Sequence, residues 1–156
     1  WQYKSEQVHS NVIDVIAGPE WDWLAEESKA LFSKSRYPIL PASDRMGYRL
    51  QGEALVQVHK AQLLSSGVGF GTVQLLPSGQ LVVLMADHQT TGGYPRIASV
   101  IAAHLPRLAQ KGAGEELQFA LTTVAAAEAK WVRLQKSLHD VQNTCKLKIE
   151  NWLHAH

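Results

Sequence analysis

The sequence predicts a mainly β fold, a barrel or sandwich decorated by helices. Three observations lead there. Between Ala61 and Asp87 strand-sized apolar runs alternate with glycine- and proline-containing turns. GEELQFALTTV (114–124) returns to strand after a helical stretch. Helical periodicity is confined to three segments, around 21–32, 97–110 and from 125 to the end. At 156 residues the chain is one domain's worth of sequence, enough to bury a real core.

The elements follow in order. NVIDVIAG (11–18) carries apolar residues on both alternating faces except at Asp14, the pattern of a mostly buried strand, and Gly18-Pro19 breaks it. WDWLAEESKALF (21–32) places Trp21, Leu24, Ser28, Leu31 and Phe32 near one helical face, with acids in the first two turns. Pro38 and Pro41 bracket a short extended piece. RMGYRLQG (45–52) sets Met46, Tyr48 and Leu50 against Arg45, Arg49 and Gln51, a half-buried strand with Gly47 where another backbone can come close.

The region 61–87 reads as β throughout, with strands near Leu63–Val68, Gly71–Leu76 and Leu81–Asp87. GTVQLL, PSGQ and LVVLMA form the clearest hairpin. Ile97, Val100, Ile101, His104, Leu105 and Leu108 recur at helical spacing and predict a helix from Ile97 to Gln110, beginning after Pro95. The last helix carries Trp131, Leu134, Leu138, Val141, Cys145, Ile149 and Trp152 in steps of three and four. We divide the chain into a barrel domain, 1–123, and a C-terminal amphipathic helix, 124–156. About 30 residues at about 1.5 Å each exceed the width of a small barrel. The stripe therefore has two readings, packing on its own barrel or self-association with a partner helix.

Composition excludes several classes. With 19% charged residues and a net charge of +1, the chain lacks the basic stripe of a nucleic-acid binder. LVVLMA and VIAAHLPRLA are too short for a membrane span. The single cysteine, Cys145, rules out an intrachain disulfide and suits a reducing, cytoplasmic setting. The chain opens at Trp1 in structured-looking sequence without a signal-peptide pattern, and we read it as a piece of something longer.

Candidate chemistry is concentrated in DHQTTGGY (87–94). Asp87 follows an apolar strand, which places a carboxylate at the rim of a sheet. Gly92-Gly93 lets backbone N–H groups approach a ligand, and Thr90, Thr91 and Tyr94 add hydroxyls. The same residues also suit an elaborate turn capping the next helix, and chemistry alone leaves both readings open. Asp44-Arg45 reads either as a surface ion pair or, with Arg49, as the lining of a polar groove. Gly67-x-Gly69-x-Gly71 lacks the spacing and following helix of a phosphate loop and reads as a bend. No HExxH, CxxC or GxSxG pattern is present; His154-x-His156 has only the makings of an adventitious metal site. His104 reads as a core histidine and Cys145 as a small hydrophobe.

SDRMGYRLQG (43–52), GTVQLLPSGQ (71–80) and LMADHQTTGGYPRIASVIAAHLPRLAQ (84–110) together resemble the allophanate hydrolase subunit 2 family. These are the KipA-like proteins, also described as the C-subunit of bacterial ATP-dependent 5-oxoprolinase and as biotin-dependent carboxyltransferase domains. The resemblance runs from about Ile13 to Phe119 and covers the C-terminal half of a typical member. It implies a cyclophilin-like β-barrel with flanking helices, working with two further subunits, one KipI-like and one lamB/YcsF-like. The complex would cleave 5-oxo-L-proline to L-glutamate with ATP, and the isolated chain would be inactive. Two alternatives accompany it: a biotin-dependent carboxyltransferase of a urea-carboxylase type system, or a regulator opposing an inhibitor of a sensor histidine kinase.

The family motif falls on Asp44, Arg45, Gly47 and Tyr48, and then on Gln74, Asp87, Gln89, Thr90, Thr91, Gly92, Gly93, Tyr94 and Pro95. From their chemistry we take Asp87 as the acid or substrate-orienting group and Arg45 as the binder of a carboxylate or phosphate. Asp44, Tyr48, Gln74, Gln89, Thr90, Thr91, Gly92, Gly93 and Tyr94 complete the expected binding set for a small amide. Leu81 and His104 depart from the pattern, which has proline and aspartate there.

Overall fold

The computed structural model describes residues 10–59, 61 and 63–154. Seven strands form one sheet in the order β2-β9-β1-β8-β5-β6-β3. They are β1 (Val12–Ala17), β2 (Tyr37–Pro38), β3 (Gly47–Leu50), β5 (Thr72–Leu75), β6 (Leu81–Leu84), β8 (Arg96–Val100) and β9 (Glu116–Leu121). A separate ribbon pairs β4 (Ser66–Gly67) with β7 (Thr91–Gly92). The sheet's two edges meet through the Ile39–Leu50 bridge. Leu40 N–H donates to Arg49 O at 2.9 Å and Gln51 N–H to Pro38 O at 2.9 Å, so the sheet is a nearly closed barrel. Closure satisfies edge groups that would otherwise be unpaired.

The strands enclose a core of β-branched and aliphatic side chains, including Ile13, Val15, Val73, Leu75, Val83, Ile97 and Leu117. Helix α1 (Glu26–Lys34) covers β9 with Phe32, which stacks on Phe119 at 4.9 Å, while Trp21 meets Phe32 edge-on at 5.3 Å. Full burial of one such ring stabilises the fold by about 1.5–3 kcal/mol. Glu20 fixes the approach to α1: its carboxylate accepts from Arg96 Nη2 at 2.8 Å, Nε at 3.0 Å and backbone N–H at 2.9 Å. These bonds hold the carboxyl below its usual range against the opposing effect of burial.

The hairpin forms as expected. Gln74 pairs with Val82, and Gly79 turns the chain with φ +81°. Three expectations are corrected. The helix expected from Ile97 is instead β8, followed by a short turn and α2 (Leu105–Ala109). The apolar run fits either period, and antiparallel partners on both sides, Val15–Val100 and Val73–Ala98, decide for strand. Trp21–Trp23 is a 3₁₀ turn, because Leu24 is extended and bridges Gln57 before α1 begins. The strand expected near Leu63–Val68 shrinks to two residues, with Leu64 almost wholly in solvent.

Helix α3 (Val124–His154) starts where Thr123 Oγ1 accepts from Ala126 N–H at 3.2 Å. Its first turns lie against β1 and the Ala102–His104 turn, and none of its residues is buried. Among the described residues no helix is long and apolar enough to cross a membrane.

Candidate functional site

The three motif stretches converge on a cleft of about 710 Å³. Gly47 and Arg49 of β3 with Val82 and Leu84 of β6 form one wall, and the β4–β7 ribbon brings Thr91, Gly92 and Gly93 to the other. Asp44, Gln74, Gln89 and Tyr94 also line it. Seven of the expected site residues therefore share one cavity, although they come from sequence positions 44 to 94.

Gln74 is the most informative of them. A register shift between Val73 and Gln74 in the β5–β8 pairing sets its place in the strand. The residue is 5% exposed, and its Nε2 is buried without a hydrogen-bond partner among the described residues. Such a donor costs about 1–3 kcal/mol when nothing accepts from it. A Cβ at Gly92 would stand 2.6 Å from Nε2, so any larger residue there would have to displace the Gln74 amide.

Asp44 works locally. Its Oδ1 accepts from Met46 N–H at 2.8 Å and Gly47 N–H at 3.2 Å, a turn that launches β3. Arg49 lines the cleft with a guanidinium that has no partner among the described residues. The sequence placed it opposite the buried face of its strand and, beside Asp44-Arg45, left open a polar groove; Arg49 lines such a cleft with Asp44, whereas Arg45 does not.

Asp87 and Arg45 come together outside the cleft. Arg45 Nε meets Asp87 Oδ2 at 3.0 Å and Nη2 meets Oδ1 at 3.4 Å, and Asp87 N–H donates to Arg45 O at 2.9 Å. Both side chains are at least half exposed. Arg45 and Tyr48 line a neighbouring hollow of about 420 Å³, with Phe70 and Met85. Tyr48 gives its hydroxyl hydrogen to Lys111 O at 2.6 Å, and burial, aided by the Glu115 charge, raises its phenol. Thr90 is exposed, and its carbonyl accepts from Val68 N–H at 3.1 Å.

The glycine run makes no phosphate cradle. Gly69 N–H donates to Thr72 Oγ1 and Gly71 N–H to Leu84 O, so both donors are spent inside the fold. The cleft's charged lining, one Asp and one Arg, likewise does not suit a triphosphate. His104 is a core histidine: its Nδ1 accepts from Asp14 N–H at 2.9 Å, and burial holds its pKa below the usual range. His156 of the terminal pair lies outside the described residues.

The family model for the carboxyltransferase domain, subdomains A and B, matches residues 2–121. The chain belongs to the carboxyltransferase domain family. It is 39% identical over 129 residues to the 5-oxoprolinase C-subunit of Haemophilus influenzae, covering 83% of this chain and 41% of that relative. It is 44% identical over 109 residues to the 5-oxoprolinase C-subunit of Escherichia coli, covering 70% of this chain and 35% of the relative. The chain thus spans about two fifths of the length of the curated relatives it matches. The crystal structure of Kluyveromyces lactis urea amidolyase shares the fold, with a TM-score of 0.70 at 22% identity, over 75% of this chain and 8% of that one. For this carboxyltransferase-family domain, the resemblance read from the three motifs therefore holds, and so does the mainly β barrel with its C-terminal helix.

Proposed function

We propose that the chain supplies one half of the reaction site of an ATP-dependent amide-cleaving complex of the 5-oxoprolinase type, acting on 5-oxo-L-proline to give L-glutamate. The observation that carries this is the buried, unpartnered Gln74 Nε2 at the cleft. Nε2 is sealed beneath Gly92, and a shift of the β4–β7 ribbon or a turn of the amide would bring it to an acceptor such as a lactam carbonyl. Arg49 is placed to take the substrate carboxylate, while Gly92 and Gly93 let the backbone close on the ring. The names of the two curated relatives support the same reading. The nucleotide is assigned elsewhere than this cleft, for the charge reason above. Asp87, held by Arg45 at the rim, remains our candidate acid or orienting group toward a KipI-like partner, with a lamB/YcsF-like partner completing the assembly.

The test is 5-oxoproline-dependent ATP hydrolysis by the complex assembled with both partners. Arg49→Gln should raise the KM for 5-oxoproline by about 10- to 100-fold, the worth of one charged hydrogen bond. Unchanged turnover after Asp87→Asn would remove Asp87 from the chemistry, and no turnover in the complete complex would refute the reading.

The family description favours a second reading, carboxyl transfer with a biotin carrier, whose ureido carbonyl would also accept from Gln74. Activity that requires a biotinylated partner, and not 5-oxoproline, would decide for it. The long helix supports self-association with a second copy. Trp131, Leu134, Leu138, Val141 and Cys145 step by three and four, so each copy presents the same seam. Most helix stability comes from packing an amphipathic face, and none of the residues of α3 is buried in the single chain.

A further inference from the structure

A second concentration of charge lies away from the cleft. Between β1, α2 and the start of α3 is a cavity of about 440 Å³ lined by Asp14, His104, Arg107, Lys130, Arg133 and Ser137, among others. No residue lines both this cavity and the cleft. Lys130 Nζ is spent on Asp14 Oδ2, which neutralises the carboxylate in the wall. Arg107 donates through Nη1 to Val12 O at 2.9 Å, which fixes its guanidinium; its remaining N–H groups have no partner among the described residues. Arg133 has no hydrogen bond or ion pair among the described residues. His104 uses Nδ1 as an acceptor, so its ring proton sits on Nε2 as a further donor.

The lining therefore holds three cations against one carboxylate, an excess of two positive charges. Neither guanidinium has an anionic partner among the described residues. We infer that this cavity binds a phosphate-type dianion, with Arg107 and Arg133 as its ligands. A phosphate monoester carries about −1.5 to −2 at neutral pH and matches the excess, whereas a carboxylate carries a single charge. Guanidinium forks suit phosphate oxygens two at a time. The volume exceeds what free phosphate needs and lies in the range of small-ligand sites, so the phosphate is either free or borne on a larger molecule. The inference does not rest on the amide reading of the cleft.

The experiment is titration calorimetry and thermal denaturation of the whole chain with inorganic phosphate and, separately, ADP, at constant ionic strength with acetate as the control anion. Saturable binding and a rise in Tm are expected with phosphate or ADP and not with acetate. Comparable affinity for the two identifies free phosphate as the ligand chemistry; ADP at least about tenfold tighter identifies a phosphate borne on a nucleotide. Arg133→Gln, an exposed substitution that breaks no contact, should weaken binding by at least about tenfold and leave the unliganded Tm unchanged. Equal responses to acetate and phosphate, or full binding by Arg133→Gln, would overturn the site. Loss of turnover in cleft variants with phosphate binding intact would separate the two proposals.

Discussion

Gln74→Met should make the protein more stable and less active. The wild-type amide sits 5% exposed with Nε2 unpaired, and an unsatisfied buried donor costs about 1–3 kcal/mol. Methionine has a similar length and volume and no polar atom to desolvate, so the substitution removes the penalty without opening a cavity. Allowing for imperfect repacking, the gain is about 1–2 kcal/mol. A domain of this size shifts by about 2–4 °C per kcal/mol, so calorimetry of the isolated chain should show Tm rising by roughly 2–8 °C. In the assembled complex the same variant loses one hydrogen bond to the substrate carbonyl, and kcat/KM for 5-oxoproline should fall about tenfold. A fall in Tm would show that the amide already has a partner. A rise in Tm with unchanged kcat/KM would show that its acceptor is not the substrate.

Glu20→Gln should destabilise the fold by about 3 kcal/mol, the lower end for breaking a buried pair because Arg96 keeps a quarter of its side chain in water. The depressed Glu20 pKa means that this stability is complete above the unfolded carboxyl's pKa and is lost as pH falls through the folded value; an acid titration of wild type and variant should converge there. Gly92→Ala should leave Tm nearly unchanged, because its backbone needs no positive φ, yet raise KM roughly tenfold by pressing on Gln74 Nε2; activity measured beside Tm checks it. Leu138→Glu, on an exposed position of α3, should shift sedimentation equilibrium from dimer to monomer without altering the barrel's unfolding.

What the sequence discloses depends on how local the deciding interaction is. The β5–β6 hairpin was legible because its turn residues and both strands lie within 71–84. Residues 97–101 were not, since their period fits helix and strand alike, and the decision comes from pairing with residues more than 20 and more than 80 positions away. The cleft was legible as a set of motif residues but not as a geometry. Alternation put Arg45 and Arg49 on the same face, yet Arg45 lies within the Asp44–Gly47 turn ahead of β3 and pairs with Asp87 instead. Arg49, inside the strand, stays in the cleft. The unpaired state of Gln74 has no sequence signature, because it depends on what the barrel fails to place opposite Nε2.

This division of the two arginines bears on mechanism. Asp44 is the one carboxylate lining the cleft, its Oδ1 is occupied by two backbone N–H groups, and no imidazole joins it. On the proposed reading the cleft holds a carbonyl through Gln74 and a carboxylate through Arg49. Among the described residues its lining offers no imidazole, and Asp44 is tied to the backbone through Oδ1 with only Oδ2 left open. A cleft with so few groups for proton transfer fits the proposal that this chain supplies one half of a shared site. The isolated chain should therefore bind 5-oxo-L-proline, with affinity reduced by Gln74→Met and by Arg49→Gln, and show no turnover. Calorimetry and a glutamate-release assay on the same preparation test both halves of the statement. Turnover by the chain alone would refute the shared site, and absence of binding would refute the assignment of the cleft.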